Sequence, residues 1–457
     1  MKTREETDSL GSIAVPQDKL WGAQTQRSLN HFSIGDEKMP SEFIKTYALV
    51  KKIAAHSNLE LGLLPNDKYE AIAKAANEIM EGKLYQHFPL SIWQTGSGTQ
   101  TNMNLNEVIS NRANELLGSK RGCHSPIHPN DDVNMGQSSN DTFPTATHIC
   151  CYRLINDKLL PSLNSLINTT QKKVTEFKDV QKVGRTHLQD ALPLGLDEEF
   201  SGYLTQLEFS LTRIQHSLKS LERLAIGGTA IGTGANTHKN FAEHFVKTLN
   251  RETSLKFTVA YNKFEAIAAH DSLVEVHGCL KTLAVSLTKI ANDIRWLSSG
   301  PRCAFNEINI PKNEPGSSIM PGKVNPTQCE AILMICTQVI GNDVAVSIGG
   351  GQGNFELNTY KPLLLHNLVS SIKTLAEGIT SFDKYCMQGL NPNKKRIQHF
   401  MEENIMIATF LAPAIGYEAT SKIALSAYNN ETSLKDEVLK AGLISEEKFN
   451  KLINKSR

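Results

Sequence analysis

The chain has no surplus of charge: among its 457 residues 48 are Lys or Arg and 47 Asp or Glu, a formal net charge of +1. Neither a nucleic-acid-binding surface nor an acidic interaction tail is expected. Long apolar runs are missing too, since no stretch reaches the roughly eighteen consecutive apolar residues of a membrane span. The opening residues, Met1-Lys2-Thr3-Arg4-Glu5-Glu6-Thr7-Asp8, hold no apolar run for a secretory signal and are too acidic for a transit peptide. Cysteine is scattered: there are eight, with no C-x-x-C pair. The neighbours Cys150 and Cys151 suit neither a disulfide framework nor a zinc site, and the set reads as buried thiols in a reducing cytoplasm. His124 and His128 are four apart, but Pro126 and Pro129 break any helix that would turn both toward one metal. These absences leave a cytoplasmic protein with no nucleic-acid or membrane partner and no signalled metal or redox cofactor.

What is present is helical periodicity. Phe200, Leu204, Leu207, Leu211, Ile214, Leu218 and Leu221 step by four and three. Leu273, Val276, Leu280, Leu283, Leu287, Ile290, Ile294 and Leu297 do the same, as do Leu365, Leu368, Ile372, Leu375, Ile379 and Phe382. Sustained 3–4 spacing marks long helices packed at shallow angles. Stretches at about 141–179 and 325–348 bring the count of long helices to five, and Pro161 should kink the first. Strands are few, with Gln181 to Thr186 and Phe257 to Ala260 as weak candidates. The fold class is mainly α, in three domains around a long central five-helix bundle. Residues 1–138 form a mixed helical and loop domain, 139–390 the bundle, and 391–457 a small helical tail. Five long helices expose more than one apolar seam, which symmetric self-association would bury.

The most informative stretch is Gly316-Ser317-Ser318-Ile319-Met320-Pro321-Gly322-Lys323-Val324-Asn325-Pro326. Glycines at both ends let the backbone bend and move. Asn325 reads as a helix N-cap, with Pro326 at the first helical position and Gln328 placed for a capping box. A cation, free amides and a positive helix end then meet beside two serines, a site for a carboxylate or phosphate. An ordinary loop is the plain alternative. A P-loop is excluded by spacing, because five residues separate Gly316 from Gly322 and Val324 stands where the magnesium-binding hydroxyl belongs. Two more polar motifs, 136–142 and 184–190, precede bundle helices. Any one of them could be a simple cap, but three at equivalent helix ends would converge on one anionic ligand.

The loop resembles the signature of the aspartase/fumarase superfamily, whose members add or eliminate a group across the double bond of fumarate or a fumarate-bearing product. Val15 to Ser28, Gln94 to Asn104, His128 to Asn134, Gly227 to Gly234 and Gly353 to Asn358 extend the likeness to class II, iron-independent fumarases. It covers nearly the whole chain and thins in the last ~60 residues. The resemblance implies fumarate hydratase activity of the tricarboxylic acid cycle, a fumarate/malate substrate, no cofactor, and a homotetramer with a twenty-helix core. It implies Ser317 as the base that takes the C3 proton of malate. It places His187 in the network that helps the C2 hydroxyl leave, with Glu330 orienting it; His187 as the base stays open. Lys323 and Asn325 would hold a carboxylate. Ser97, Gly98, Thr99, Ser138, Ser139, Asn140, Thr186 and Ser318 would surround the substrate. His128, Pro129, Asn130 and Asp131 would form a second, outer anion site. Two details depart from the commonest pattern there: Met135-Gly136 stands where Lys-Ser is frequent, and Ser125 where some members are basic.

Two other readings stand beside this one. Aspartases typically carry Gln where this chain has His187, Ala in place of Gly322 and Thr in place of Ser139, and all three positions read here as fumarase. A structural protein that has lost activity on this fold is the third, and intact Ser317, Lys323, Asn325, His187 and Glu330 argue against it.

Overall fold

The computed structural model describes residues 2–454, which are mainly helical. Among the described residues all strands lie in two-stranded sheets. Contacts divide the chain into two compact units: residues 1–160, 212–282 and 337–375 form one, and 161–211, 283–336 and 376–457 the other.

In the first unit the helix Ser41–Glu60 is the hub. It packs on Asn66–Met80, Ser139–Leu154 and Phe241–Thr253. Its apolar positions explain this: Phe43 and Tyr47 are fully buried and meet Phe143, with ring centroids 4.7 to 6.1 Å apart. Burying each such ring contributes about 1.5–3 kcal/mol. The antiparallel hairpin Thr3–Asp8 and Gly11–Pro16 opens the chain. The sequence reading missed it, because Thr-Arg-Glu-Glu-Thr-Asp carries no apolar alternation.

The periodic seams are buried as expected, save Leu211 of the first, which is only partly buried. Every named position from Leu273 to Leu297 and from Leu365 to Phe382 is in the core. Side-chain bonds within each unit tie the long helices together. In the first, His277 of Asp271–Leu297 contacts Asp343 of Thr327–Gly350 (3.0 Å) and Ser371 of Lys361–Phe382 (2.9 Å). In the second, Tyr203 of Leu196–Leu221 donates to Asp293 of Asp271–Leu297 (3.0 Å). Just before Pro161 a wide turn at Ile155–Leu159 lies between Ser139–Leu154 and Leu160–Glu176, with Leu154 and Leu160 on either side both in helical conformation. Proline lacks the N–H for a regular turn and crowds the carbonyl four residues back.

In the second unit, Gln181–Thr186 pairs antiparallel with Gln189–Gly195, and the hairpin packs against Lys394–Glu403. The C-terminal helices enclose a core of their own around Ile407, Leu411, Ile423, Leu434, Val438 and Phe449. Thr327–Gly350 is by length and composition apolar enough to cross a membrane, yet only 33% of its most apolar window is buried. Met334, Val344 and Ile348 are more than half exposed on it. Its run is interrupted by Glu330, Asn342 and Asp343.

Candidate active site

The first unit brings together the hydroxyl residues of two motifs. Gly98 caps the helix Thr99–Leu116 with a left-handed backbone, φ 75°. A Cβ there would stand 2.2 Å from the Phe143 ring, so only glycine lets the loop lie this close. Ser97 Oγ and Thr99 Oγ1 are 2.7 Å apart, and Thr99 Oγ1 lies 2.6 Å from Ser139 Oγ. Ser138 caps Ser139–Leu154 in a capping box: its hydroxyl accepts from Asn140 N (3.1 Å), and its own N–H donates to Asp141 (3.0 Å). Two helix N-termini are thereby joined by a bridge of hydroxyls, beside a cavity of about 400 Å³ lined by Thr99, Asn102, Asn134, Ser138, Ser139 and Thr229. Helix ends and hydroxyls of this kind favour an anion.

Asp141 fixes the arrangement. Its second oxygen accepts from Gly227 N (3.0 Å) and Thr229 N (2.9 Å), holding the glycine-rich 227–234 loop against the cap. Asn140 Nδ2 donates to Ala230 O in the same loop (2.8 Å). Asp141 was missed as a site residue, although Ser-x-x-Asp at 138–141 already spells a capping box.

The second unit holds the other motifs. Gly316 N donates to Lys323 O (3.0 Å), closing the 316–323 loop on itself. Ser317 Oγ accepts the backbone N–H groups of Ile319 (3.2 Å) and Met320 (3.1 Å). Asn325 departs from expectation: its side-chain amide donates to Gly316 O (2.5 Å), and the helix begins at Thr327. The predicted box fails with it, for Gln328 accepts from Ser381 (2.8 Å). Ser318, Lys323 and Glu330 are exposed, the last in the first helical turn.

His187 also departs from the helix-end expectation. It does not precede a helix directly but sits at the tip of the hairpin, where Thr186 pairs with Gln189 across His187 and Leu188. Both tip residues have left-handed backbones, φ 56° and 61°. Such turns ordinarily take Asn-Gly, so two bulky residues here mark stored strain at an exposed position. The turn is anchored from below: Arg185 forks onto Glu307 (2.8 and 3.2 Å), and its guanidinium lies 4.3 Å from the Phe305 ring centre. Among the described residues no hydrogen bond or ion pair joins His187 to Ser317 or Glu330.

The outer motif is ordered. His128 Nδ1 accepts from Asn130 N (3.2 Å) and Asp131 N (3.1 Å), capping the turn Pro129–Val133, and the His124 ring meets the His128 ring edge-on at 5.3 Å.

A lyase family model matches residues 11–341, and a model of the fumarase C C-terminus matches 407–457. A class II fumarate hydratase of Nitrosomonas europaea is 53% identical over 446 residues, spanning 98% of this chain and 96% of the relative. The chain belongs to the class II fumarate hydratase family. Another member, from Photorhabdus laumondii, is 52% identical over 451 residues, 99% of this chain and 97% of its own. The crystal structure of a recombinant class II fumarase from Schistosoma mansoni matches with a TM-score of 0.96 at 42% identity, covering 99% of this chain and 98% of that one.

Proposed function

We propose that the protein hydrates fumarate to (S)-malate reversibly, through an aci-carboxylate intermediate, as a step of the tricarboxylic acid cycle in the cytoplasm. The observation that carries the reading is the Ser317 hydroxyl, held by two backbone amides in a glycine-bounded loop with Lys323 and Asn325. A serine is a weak base in water. Amide donors and a nearby ammonium stabilise its alkoxide and so make it a usable one. Ser317 removes the C3 proton of malate. The charge that builds on the adjacent carboxylate is met by Lys323, Asn325 and helix dipoles. His187, oriented by Glu330, assists departure of the C2 hydroxyl. Ser97, Gly98, Thr99, Ser138, Ser139, Asn140, Thr186 and Ser318 surround the substrate. A positioned acid or base contributes about 10²–10⁴-fold, so preorganised electrostatics must supply most of the acceleration.

His187 and Ser317 are not bonded to one another within the chain, and this supports a site completed by other subunits. The proposed assembly is a homotetramer with a twenty-helix core around residues 139–390, flanked by 1–138 and 391–457. The exposed apolar side chains of Thr327–Gly350, together with Phe209 and Val285 on neighbouring long helices, support it. Leu188, Ile319 and Phe355 are likewise exposed beside the motifs. An outer anion stop at His128, Pro129, Asn130 and Asp131 belongs to the same proposal. Both amides there end on His128, so an arriving anion must displace that ring.

The decisive assay follows fumarate absorbance with malate and then with aspartate as the added substrate. Fumarate from malate alone is expected; fumarate from aspartate alone would make the protein an ammonia-lyase, and none from either would make it a structural relative. A second expectation concerns Gly96, where a Cβ would lie 1.5 Å from Thr359 O. Gly96→Ala must push the Ser97–Thr99 loop off its seat. A fall in kcat/KM of about 10²-fold is expected, with helix content by circular dichroism nearly unchanged. Unaltered kinetics would show that this loop does not shape the site.

A further inference from the structure

Two lysines of the first unit are buried outside any salt bridge among the described residues. Lys51 is 0% exposed and Lys361 2%. Neither forms an ion pair among the described residues. Lys51 Nζ donates only to side-chain carbonyls, Asn134 Oδ1 (2.9 Å) and Gln137 Oε1 (3.0 Å), and stands over the Tyr47 ring at 5.5 Å. Lys361 Nζ donates to Asn358 O (3.0 Å), while its backbone N–H donates to Gly96 O (3.0 Å), directly under the loop that carries Ser97. Asn134 and Gln137 line the cavity beside the hydroxyl bridge. An unpaired ammonium in a protein interior is costly and is ordinarily neutralised or paired.

We propose that Lys51 and Lys361 are positioning residues that supply the positive charge behind this cavity, acting on a dianionic dicarboxylate through Asn134, Gln137 and the Gly96 loop rather than by contact. The inference rests on the proposed dicarboxylate substrate.

The surrounding charges support it. Asp141 is the carboxylate facing both lysines, which leaves two cations against one anion when all are ionised. Several other charged groups on elements packed around the Ser41–Glu60 helix are engaged elsewhere. Glu252 and His244 pair with Lys52 and Glu60, Asp132 with Lys68, and Arg112 with Glu78. Glu107 accepts the amides of Gly22, Gln24 and Thr25. His270 faces Lys361, and burial holds its imidazole well below the usual histidine range. Burial lowers Lys51 and Lys361 to about 7 each, and raises Asp141 to about 6 against the pull of its three amide donors.

The sign follows directly. Each lysine is charged below about 7 and neutral above it. A dianion in the cavity favours the charged form, so binding above that pH draws a proton into the protein. Affinity should therefore weaken as pH rises past neutrality.

Calorimetry of the intact assembly with succinate, a saturated dicarboxylate, tests this at about pH 8 in two buffers of different ionisation enthalpy. The expected result is uptake of roughly half a proton or more per site, with KM for fumarate rising about tenfold from pH 7 to pH 8.5. Lys51→Met should cut the uptake by half or more, flatten the KM–pH profile and raise KM about tenfold at pH 6.5, with kcat within about threefold. Wild-type protein that hydrates fumarate normally but takes up no proton overturns the inference and leaves the proposed reaction standing, and this measurement decides even if the variant does not fold. A folded Lys51→Met protein with wild-type uptake and KM overturns it as well. Failure of the wild type to turn over fumarate overturns both.

Discussion

Replacing Ser317 with alanine is expected to lower kcat for fumarate hydration by about 10²-fold or more while leaving KM within severalfold. The change removes one oxygen, and the two amides that now end on it, from Ile319 and Met320, lie in an exposed loop where water can replace it. Stability should therefore hardly move, and light scattering should report the same assembly as the wild type. Steady-state kinetics in both directions gives the test. Near-wild-type kcat would remove Ser317 from the proton transfer and return His187 to the position of base. Equal losses in hydration and dehydration are required, because one base serves a reversible step from both sides.

Mixing two dead proteins should restore activity. Ser317→Ala and His187→Ala are each expected to be nearly inactive as homo-oligomers. If each site draws Ser317 and His187 from different chains, dissociating and reassembling an equal mixture places both lesions in some sites and leaves others whole. With random assortment about a quarter of the sites escape both lesions, so recovery of roughly a quarter of wild-type activity is the expectation. The structural motive is specific. His187 projects from a strained turn, Ser317 lies in a closed loop, and no bond links them within the chain. The apolar surface that would bring chains together is present on Thr327–Gly350. Activity that stays at the level of the unmixed variants, together with an active monomer by light scattering, would refute the shared site.

The helices were legible because their evidence is local. Seams such as Leu273 to Leu297 repeat at the helical period, and each position of that seam is buried. Pro161 announced the wide turn before it, since the missing N–H acts within one turn of its own position. The 316–326 loop was legible for a different reason: a long run of glycine, serine, lysine and proline has few ordinary explanations. The opening hairpin was not legible, because its charged first strand carries no apolar alternation and is set by Arg4, which reaches Glu6, Pro16 O, Lys19 O and Trp21 O.

By itself, then, the sequence determined the mainly helical class, the seams, the polar motifs and the likeness to a fumarase. Those follow from spacing along the chain and from residue identity. The tertiary structure alone decided that Asn325 turns its amide to Gly316 instead of capping a helix, because that choice depends on a carbonyl nine residues away in sequence. It also decided that His187 stands on a strained hairpin tip and that Asp141 clamps the 227–234 loop. The two unpaired lysines belong to the same class. Lys51 reads as an ordinary surface residue in its helix, and only the packing of Asn134, Gln137 and Tyr47 around it makes it a buried charge. Burial and pairing are sums over neighbours remote in sequence, and no local pattern encodes them.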